Sequence, residues 1–141
     1  MSMCRALVVV GASVLAMSVQ AAEAPHQEHF AKCAKACSDC QLQCDLCFHH
    51  CATLVTAGKK EHAHCMHLCL DCGDCCQLAA RLSARHSPLA GPACECCAKC
   101  CDECATACEK FADDKELAAC AKECRACAKA CREMLKHIGT K

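Results

Sequence analysis

The cysteines of this chain follow a regular spacing. Between residues 33 and 51, consecutive cysteines are separated by 4, 3, 4, 3 and 4 residues. This alternation places side chains on one stripe of an α-helix, as apolar residues do along the core-facing side of a helical bundle. The pattern predicts a helix that turns thiols, rather than leucines, toward a core. The stripe consists of Cys33, Cys37, Cys40, Cys44, Cys47 and Cys51.

Three later segments repeat this spacing. Since every stripe must face a shared interior, the four together predict one channel lined with sulfur. Three more cysteines fall beside the stripes and are expected to widen them, namely Cys75, Cys96 and Cys100. The later stripes consist of Cys65, Cys69, Cys72 and Cys76; of Cys94, Cys97, Cys101, Cys104 and Cys108; and of Cys120, Cys124, Cys127 and Cys131.

Breaks in the helical pattern divide the chain into four predicted helices, at about 27–57, 60–84, 93–112 and 114–138. Gly58 is a natural helix terminator, and the two prolines within 87–92 predict a non-helical linker. Asp113 followed by Glu116 resembles a capping box at the start of the fourth helix. Because the connections are short, successive helices should run antiparallel. The prediction is an all-α, antiparallel up-down four-helix bundle with a cysteine-lined core.

Larger apolar side chains are expected to close the two ends of the channel. They stand where each stripe of cysteines stops, so they read as plugs that bound a sulfur-filled tube. Those predicted at one end are Phe30, Leu82, Met134 and Ile138, and those predicted at the other are Leu54, Phe111 and Leu117.

The N-terminal segment has the composition of an export signal. Arg5 precedes an apolar stretch at 6–17, and small residues follow at a plausible cleavage point after Ala21. We therefore expect a signal peptide over 1–21, a mature domain over 22–141, and a periplasmic or secreted protein delivered by the general secretory route. Of the 23 cysteines, only Cys4 would be removed with the signal.

Composition argues against several classes of partner. The chain of 141 residues has 16 basic and 16 acidic residues, which leaves no basic surface for nucleic acid or for a membrane. No Ser-His-Asp pattern, paired carboxylates or phosphate loop stands out. A redox enzyme would need an exposed, acidic thiol beside a helix start, whereas these cysteines are predicted to lie within helices. No enzymatic activity is expected.

Disulfide bonds are one alternative explanation for so many cysteines. Neighbouring positions of a stripe have Cβ atoms about 5–6 Å apart, whereas a disulfide requires about 3.5–4.5 Å. Pairing across helices remains possible, so a disulfide-stapled structural bundle stays open. A plain core of cysteine would forgo on the order of 1 kcal/mol for each methylene that leucine would bury.

Metal binding accounts for the pattern better. Thiolates are soft ligands that select copper(I), zinc or iron–sulfur clusters. Copper(I) accepts about two or three sulfurs, so thiols one helical turn apart, or facing each other across the channel, can hold it. One copper(I) ion per thiolate also makes a neutral lattice, which predicts a capacity near one ion per core cysteine. All 22 cysteines after Cys4 are candidate ligands; a general thiol buffer for zinc or cadmium remains the alternative.

On these residues the chain resembles the bacterial copper storage proteins. The resemblance covers 28–138 and rests on CxxxC and CxxC steps in all four predicted helices, such as Cys33-AKA-Cys37 and Cys127-AKA-Cys131. It implies a cysteine-lined bundle that holds many copper(I) ions and assembles as a homo-oligomer, typically of four bundles. Copper ions, and a copper-requiring enzyme or chaperone, are the implied partners. Exported members resemble twin-arginine substrates, whereas this signal carries only Arg5.

Histidines and one methionine are candidates for passing copper inward at the ends of the channel. Met134 lies on the fourth stripe and is the strongest of them, although it could equally be a core plug. Taken singly, each histidine is more simply a solvated surface residue. The histidines near the first helical hairpin are His49, His50, His62, His64 and His67, and those near the opposite end are His29, His86 and His137.

Overall fold

The computed structural model describes residues 24–138. The predicted signal peptide and Cys4 therefore lie outside the described residues. Within 24–138, no helix is both long enough and apolar enough to cross a membrane. The chain forms four helices, α1 (Ala24–Thr56), α2 (Ala63–Ala84), α3 (Ala90–Cys108) and α4 (Lys115–Ile138), with 3₁₀ turns at Lys60–His62 and Glu109–Phe111.

In cross-section, the four helices lie at the corners of a square. Helix α1 contacts α2 and α4, and α3 contacts the same two helices from the other side. Cys33, near the start of α1, lies 3.8 Å from Cys131, near the end of α4, so these neighbours run antiparallel. The prediction of an all-α, up-down four-helix bundle is confirmed.

The core of the bundle contains sulfur and small side chains in place of large hydrocarbon groups. Nineteen of the 22 described cysteines are buried, and alanines such as Ala79, Ala105 and Ala128 flank them. Leu117 and Met134 are the largest fully buried side chains among the described residues. Because burying a leucine contributes about 1.5–3 kcal/mol and alanine offers far less, hydrocarbon burial stabilises this bundle weakly.

The start of α3 differs from the prediction. The helix begins at Ala90, so residues 90–92 of the expected linker are helical. Pro92 lies in the first turn, where a backbone N–H has no partner within the helix, and the missing N–H of proline therefore costs no hydrogen bond. A proline near a helix start was taken as a break, and that part of the prediction is wrong.

The boundaries of α1 and α4 show which residues end and begin a helix. Gly58 follows α1 with a φ of 91°, a left-handed conformation that glycine adopts without strain. At the start of α4, Asp114 Oδ1 accepts hydrogen bonds from the backbone N–H groups of Glu116 (3.0 Å) and Leu117 (3.3 Å). Asp114 is therefore the N-cap, one residue later than the predicted Asp113.

The two ends of the bundle are covered by rings that stack. At the end where α2 connects to α3, which we call the His86 end, the ring of Phe30 stacks on His86 with centroids 4.6 Å apart. At the opposite end, the His62 end, the ring of His62 stacks on Phe111 at 4.1 Å. The predicted plugs contribute to both ends: Met134 and Leu117 are buried, whereas Phe30, Leu54, Leu82, Phe111 and Ile138 are partly buried.

Candidate metal centre

The buried thiols form a continuous column, which we call the thiol tube. It consists of the 19 buried cysteines, those on the four stripes. At the His86 end, the sulfur of Cys33 lies 3.6 Å from that of Cys94, and Cys131 lies 3.6 Å from Cys37. Helices α1 and α3 thus bring their first thiols together with the last thiol of α4, although 61 to 98 residues separate Cys33 from these partners in sequence.

The middle of the tube connects all four helices. The Cys40 sulfur lies 3.7 Å from Cys124 and 3.9 Å from Cys101, and Cys101 in turn lies 3.6 Å from Cys72. A thiolate–metal bond is about 2.3 Å long for zinc. Two sulfurs at these separations can therefore share one ion of similar size without movement of the helices.

The same arrangement continues to the His62 end. The Cys69 sulfur lies 3.7 Å from Cys104 and 4.0 Å from Cys120. Cys65 lies 3.0 Å from Cys108. Consequently the sulfur column extends from one ring-covered end of the bundle to the other.

Sets of four thiols overlap along the tube. Within each set the sulfur atoms all lie within 4.8 Å of one another, and each set could hold a metal ion. Because neighbouring sets share cysteines, a sulfur that binds one ion is also placed to bind the next. Three overlapping sets are Cys40, Cys72, Cys76 and Cys101; Cys40, Cys44, Cys72 and Cys124; and Cys44, Cys104, Cys120 and Cys124.

Burial acts to raise the pKa of the tube thiols and so favours their protonated form when no metal is bound, while hydrogen bonds from neighbouring thiols lower the pKa of some of them, such as Cys104 and Cys127. Hydrogen bonds to the thiols of Cys127 and Cys131, together with burial, raise the pKa of Cys37. Burial, followed by the charges of nearby thiolates, raises the pKa of Cys51. A thiol loses its proton when it binds a metal. Filling the tube therefore releases protons and replaces each one with a share of a cation.

The described cysteines are all free thiols. All 22 cysteines within 24–138 are unpaired. The contact of 3.0 Å between Cys65 and Cys108 is far longer than the bond of about 2.05 Å in a disulfide. The alternative of a disulfide-stapled bundle is therefore wrong for this structure.

Three cysteines lie outside the tube. Cys96 is exposed, and Cys75 and Cys100 are partly buried. The Cys75 sulfur lies 3.2 Å from Cys100 and 3.9 Å from Cys96. We call these residues the outer trio. They were expected to lie beside the buried stripes, and Cys75 and Cys100 do pack against the core there. Their sulfur contacts with Cys96 and with each other form a cluster at the margin between α2 and α3.

Two more residues lie at the ends of the tube: Ser83, which was not selected from the sequence, and His62, which was named only among the histidines that could pass copper inward. Ser83 is fully buried at 0% exposure, and its hydroxyl oxygen lies 3.5 Å from the Cys94 sulfur. His62 is 7% exposed, and its Nδ1 has no hydrogen-bond partner. Both continue the 4–3 alternation of α2, since His62 stands three residues before Cys65 and Ser83 stands seven after Cys76. Extending the pattern beyond cysteine would have found them.

The predicted end residues differ in how far they reach the tube. Met134 is buried, with 1% exposure, and a groove of about 410 Å³ that His29 and Lys32 help to line reaches it from outside. The rings of His29 and His137 stack with centroids 3.5 Å apart. His50 Nε2 lies 2.8 Å from Asp114 Oδ2. The histidines with exposed side chains are His49, His64, His67 and His86.

Comparison with known proteins identifies relatives with a similar fold. Residues 26–136 match the family described as "Copper storage protein". The Cu(I)-bound copper storage protein BsCsp3 from Bacillus subtilis is 37% identical, with a TM-score of 0.67 over 73% of this chain and 94% of that one. A cytosolic copper storage protein from Streptomyces lividans, loaded with five coppers, is 27% identical, with a TM-score of 0.74 over 80% of this chain and 97% of that one.

A curated relative carries a less specific description. The uncharacterized cysteine-rich protein YhjQ of Bacillus subtilis (strain 168) is 35% identical over 72 residues. The match covers 51% of this chain and 65% of the relative, so the chain spans about two thirds of that protein.

The prediction of an exported, periplasmic or secreted protein is wrong on this comparison. The similar protein from Streptomyces lividans is described as cytosolic, and the residues behind the prediction lie outside the described part of the chain. A reducing compartment also suits the site, because glutathione and thioredoxin keep thiols reduced there. The apolar composition of 6–17 is too general a signal to outweigh these observations.

Proposed function

The chain belongs to the copper storage protein family, and from this premise we propose that it stores copper(I) in bulk within the thiol tube. The observation that carries the proposal is the overlap of four-thiol sets along the tube. A single carrier site requires one such set, whereas overlapping sets are what a bridged, multi-ion store requires. The storing unit is one domain over 22–141.

The proposed ligands are the 22 cysteines after Cys4, with Met134 at the His86 end. Each tube thiolate carries one negative charge and each copper(I) ion one positive charge. A lattice of equal numbers is neutral, and a buried lattice that is not neutral would be costly. The proposed capacity is therefore close to the number of buried cysteines, 19.

Charge also favours copper(I) over zinc in the tube. A zinc ion requires about four thiolates in a closed tetrahedron, which leaves two uncompensated negative charges at each ion. In the described part of the chain no Lys or Arg side chain is buried, so the negative charges of a column of such sites would repel one another. A thiol buffer for zinc or cadmium is accordingly the weaker proposal.

The test is a titration of the reduced full chain with copper(I) in the presence of a competing chelator. We expect tight binding to continue well beyond about ten equivalents, because each thiolate adds one charge to be neutralised. Saturation at one or two equivalents would indicate a carrier and would overturn the proposal. A parallel titration with zinc should saturate at no more than about a quarter of the copper capacity.

Oligomerisation and partners complete the proposal. Among residues 24–138, five leucines are exposed, including Leu42 at 62% and Leu46 at 52%. Burial of such side chains would favour a homo-oligomer, with four bundles as the expected number. Sedimentation of the reduced chain measures this directly, and a monomer at all concentrations would contradict it.

Copper would pass to a copper-requiring enzyme or chaperone. No enzymatic activity is proposed, since the family that matches is one of storage proteins.

A further inference from the structure

The outer trio lies at the same level of the bundle as three thiols of the tube. Each of its members directly precedes a tube cysteine in sequence, since Cys75, Cys96 and Cys100 stand before Cys76, Cys97 and Cys101. One residue turns a helix by about 100°, so each step moves the thiol from the interior to the margin of the α2–α3 interface. The structure thus has an inner and an outer group of three sulfurs on the same two helices.

The two groups have similar internal geometry. In the inner group, the Cys76 sulfur lies 3.6 Å from Cys97 and 3.7 Å from Cys101. In the outer trio, the Cys75 sulfur lies 3.2 Å from Cys100 and 3.9 Å from Cys96. The sulfur–sulfur distances that allow the inner thiols to share a soft cation are therefore also found in the outer trio.

The two groups differ in access to solvent. The inner thiols have 0% exposure, whereas Cys96 is exposed and its two companions are partly buried. The sulfur contacts of the outer trio within 4.0 Å, in the part of the chain described, are with one another. An ion held there would be separate from the lattice of the tube and open to an incoming ligand on one side.

Packing does not explain three thiols at this position. Cys96 is exposed, and an exposed helix position accepts alanine, lysine or glutamate without exposing a thiol to oxidation. Cys75 and Cys100 are partly buried against the core, where alanine or leucine would pack without a reactive thiol. Three exposed or partly exposed cysteines that converge from two helices form instead a set of soft ligands of the number that copper(I) accepts.

We propose that the outer trio is a second kind of copper(I) site, which binds one ion through three thiolates and exchanges it with soluble acceptors independently of the tube. The identity of the ion rests on the proposed function, whereas the separate site and its faster exchange do not follow from it. An acceptor thiol can approach the exposed side of this ion and displace its ligands one at a time. Ions in the tube are enclosed by four helices and lack such an open side.

The experiment compares the reduced full chain with a triple variant, Cys75→Ser, Cys96→Ser and Cys100→Ser. Both proteins are loaded with excess copper(I), freed of unbound metal by gel filtration, and then mixed with bathocuproine disulfonate, whose copper(I) complex absorbs visible light. We expect the wild type to release about one ion per chain in a fast phase before a slow phase. The variant should lack the fast phase, bind about one ion fewer and keep the slow phase unchanged.

A matched control removes the inner group with Cys76→Ser, Cys97→Ser and Cys101→Ser. This variant should keep the fast phase and lose about three ions from the slow phase, one for each thiolate removed. Circular dichroism of each variant checks that the helices form; if the inner variant does not fold, the outer variant alone still decides, since its substitutions lie at the surface.

The outcomes separate the two proposals. A wild type that saturates at one or two ions overturns bulk storage. A wild type that binds more than about ten ions, with a fast phase and a capacity that the outer variant retains, leaves storage intact and overturns the outer site. Recovery of Cys75 and Cys100 as a disulfide from the reduced, loaded protein would also overturn it.

Discussion

The hydroxyl of Ser83 donates a hydrogen bond to the sulfur of Met134 across 3.6 Å. Both side chains are buried, and Ser83 also lies 3.5 Å from Cys94 and 3.9 Å from Cys33. This pair therefore joins the thiol tube to the apolar cover of the His86 end. Its two members offer separate tests of how the tube is bounded and how copper reaches it.

Replacing Ser83 with cysteine should lengthen the store. The new thiol would stand beside Cys33 and Cys94, so we expect the copper(I) capacity to rise by about one ion per chain, in keeping with charge balance. Metal analysis after gel filtration measures the change. Ser83→Ala is the matched control and should leave the capacity unaltered. Equal capacities for the cysteine and alanine variants would count against a lattice with one ion per thiolate.

Met134→Leu tests whether the methionine sulfur assists loading. Leucine has nearly the same volume, so the cost in the free energy of unfolding should stay below about 1.5 kcal/mol. If the thioether passes copper(I) inward, the first phase of loading should slow several-fold while the final capacity stays the same. Stopped-flow mixing with a copper(I)–chelator complex gives the rate. Unchanged loading would identify Met134 as a packing residue alone.

Stability of the metal-free protein should fall at alkaline pH. The folded state holds the protons of Cys37, Cys51 and Cys69 above their ordinary range, because hydrogen bonding and burial raise the pKa of these thiols. In the unfolded chain these thiols ionise at about pH 8.5. The contribution of these three thiols to stability is therefore complete below that pH and decreases above it, by up to about 1.4 kcal/mol per pH unit for each thiol.

Urea unfolding of the metal-free chain between pH 7 and pH 10, under a reductant, measures this slope. The copper-loaded protein is the control, since its thiols have already lost their protons and no comparable decrease is expected. A free energy of unfolding that stays constant across this range in the metal-free protein would contradict the protonated state of the tube.

Copper(I) should raise the melting temperature strongly. The core contains mostly cysteine and alanine, so hydrocarbon burial alone gives limited stability, and a ligand bound only by the folded state adds to it. Thermal unfolding followed by circular dichroism should shift upward with each added equivalent and return when a chelator removes the metal. A melting temperature that does not depend on copper would show that the bundle does not need its cargo for stability.

The start of α4 provides a test of local structure. Asp114→Ala removes the N-cap acceptor and the contact with His50, so we expect a loss of about 1 kcal/mol in the free energy of unfolding. Asp113→Ala should change it by only a few tenths, because Asp113 is exposed and only Asp114 accepts the helix-start hydrogen bonds. Equal effects of the two substitutions would contradict the assigned cap.

The architecture could be predicted because helical periodicity acts on every stripe in the same way. A spacing of 4 and 3 residues leaves one face for each helix, and short connections leave one simple topology. Helix ends depend instead on single hydrogen bonds. For this reason the predicted start of α3 came after Pro92, and the predicted cap of α4 was Asp113 instead of Asp114. Ser83 was missed because its larger apolar neighbour Leu82 was taken as the residue that ends the second stripe.

Two other features could not be read from spacing. The position of the outer trio depends on how α2 and α3 are rotated about their axes when they pack together. The spacing of cysteines within one helix does not define this rotation. The export prediction failed for a different reason. It relied on Arg5, the apolar stretch at 6–17 and the small residues before the cleavage point, and these features together are not specific enough to assign a compartment.

The shared cysteines of neighbouring four-thiol sets have a consequence for how the protein behaves as a store. An ion that occupies one set fixes sulfurs that belong to the next, so no ion in the column occupies an independent binding site. The column then fills and empties as one chain of sulfur-bridged ions. The length of that chain, rather than the occupancy of separate sites, measures how much metal the protein holds.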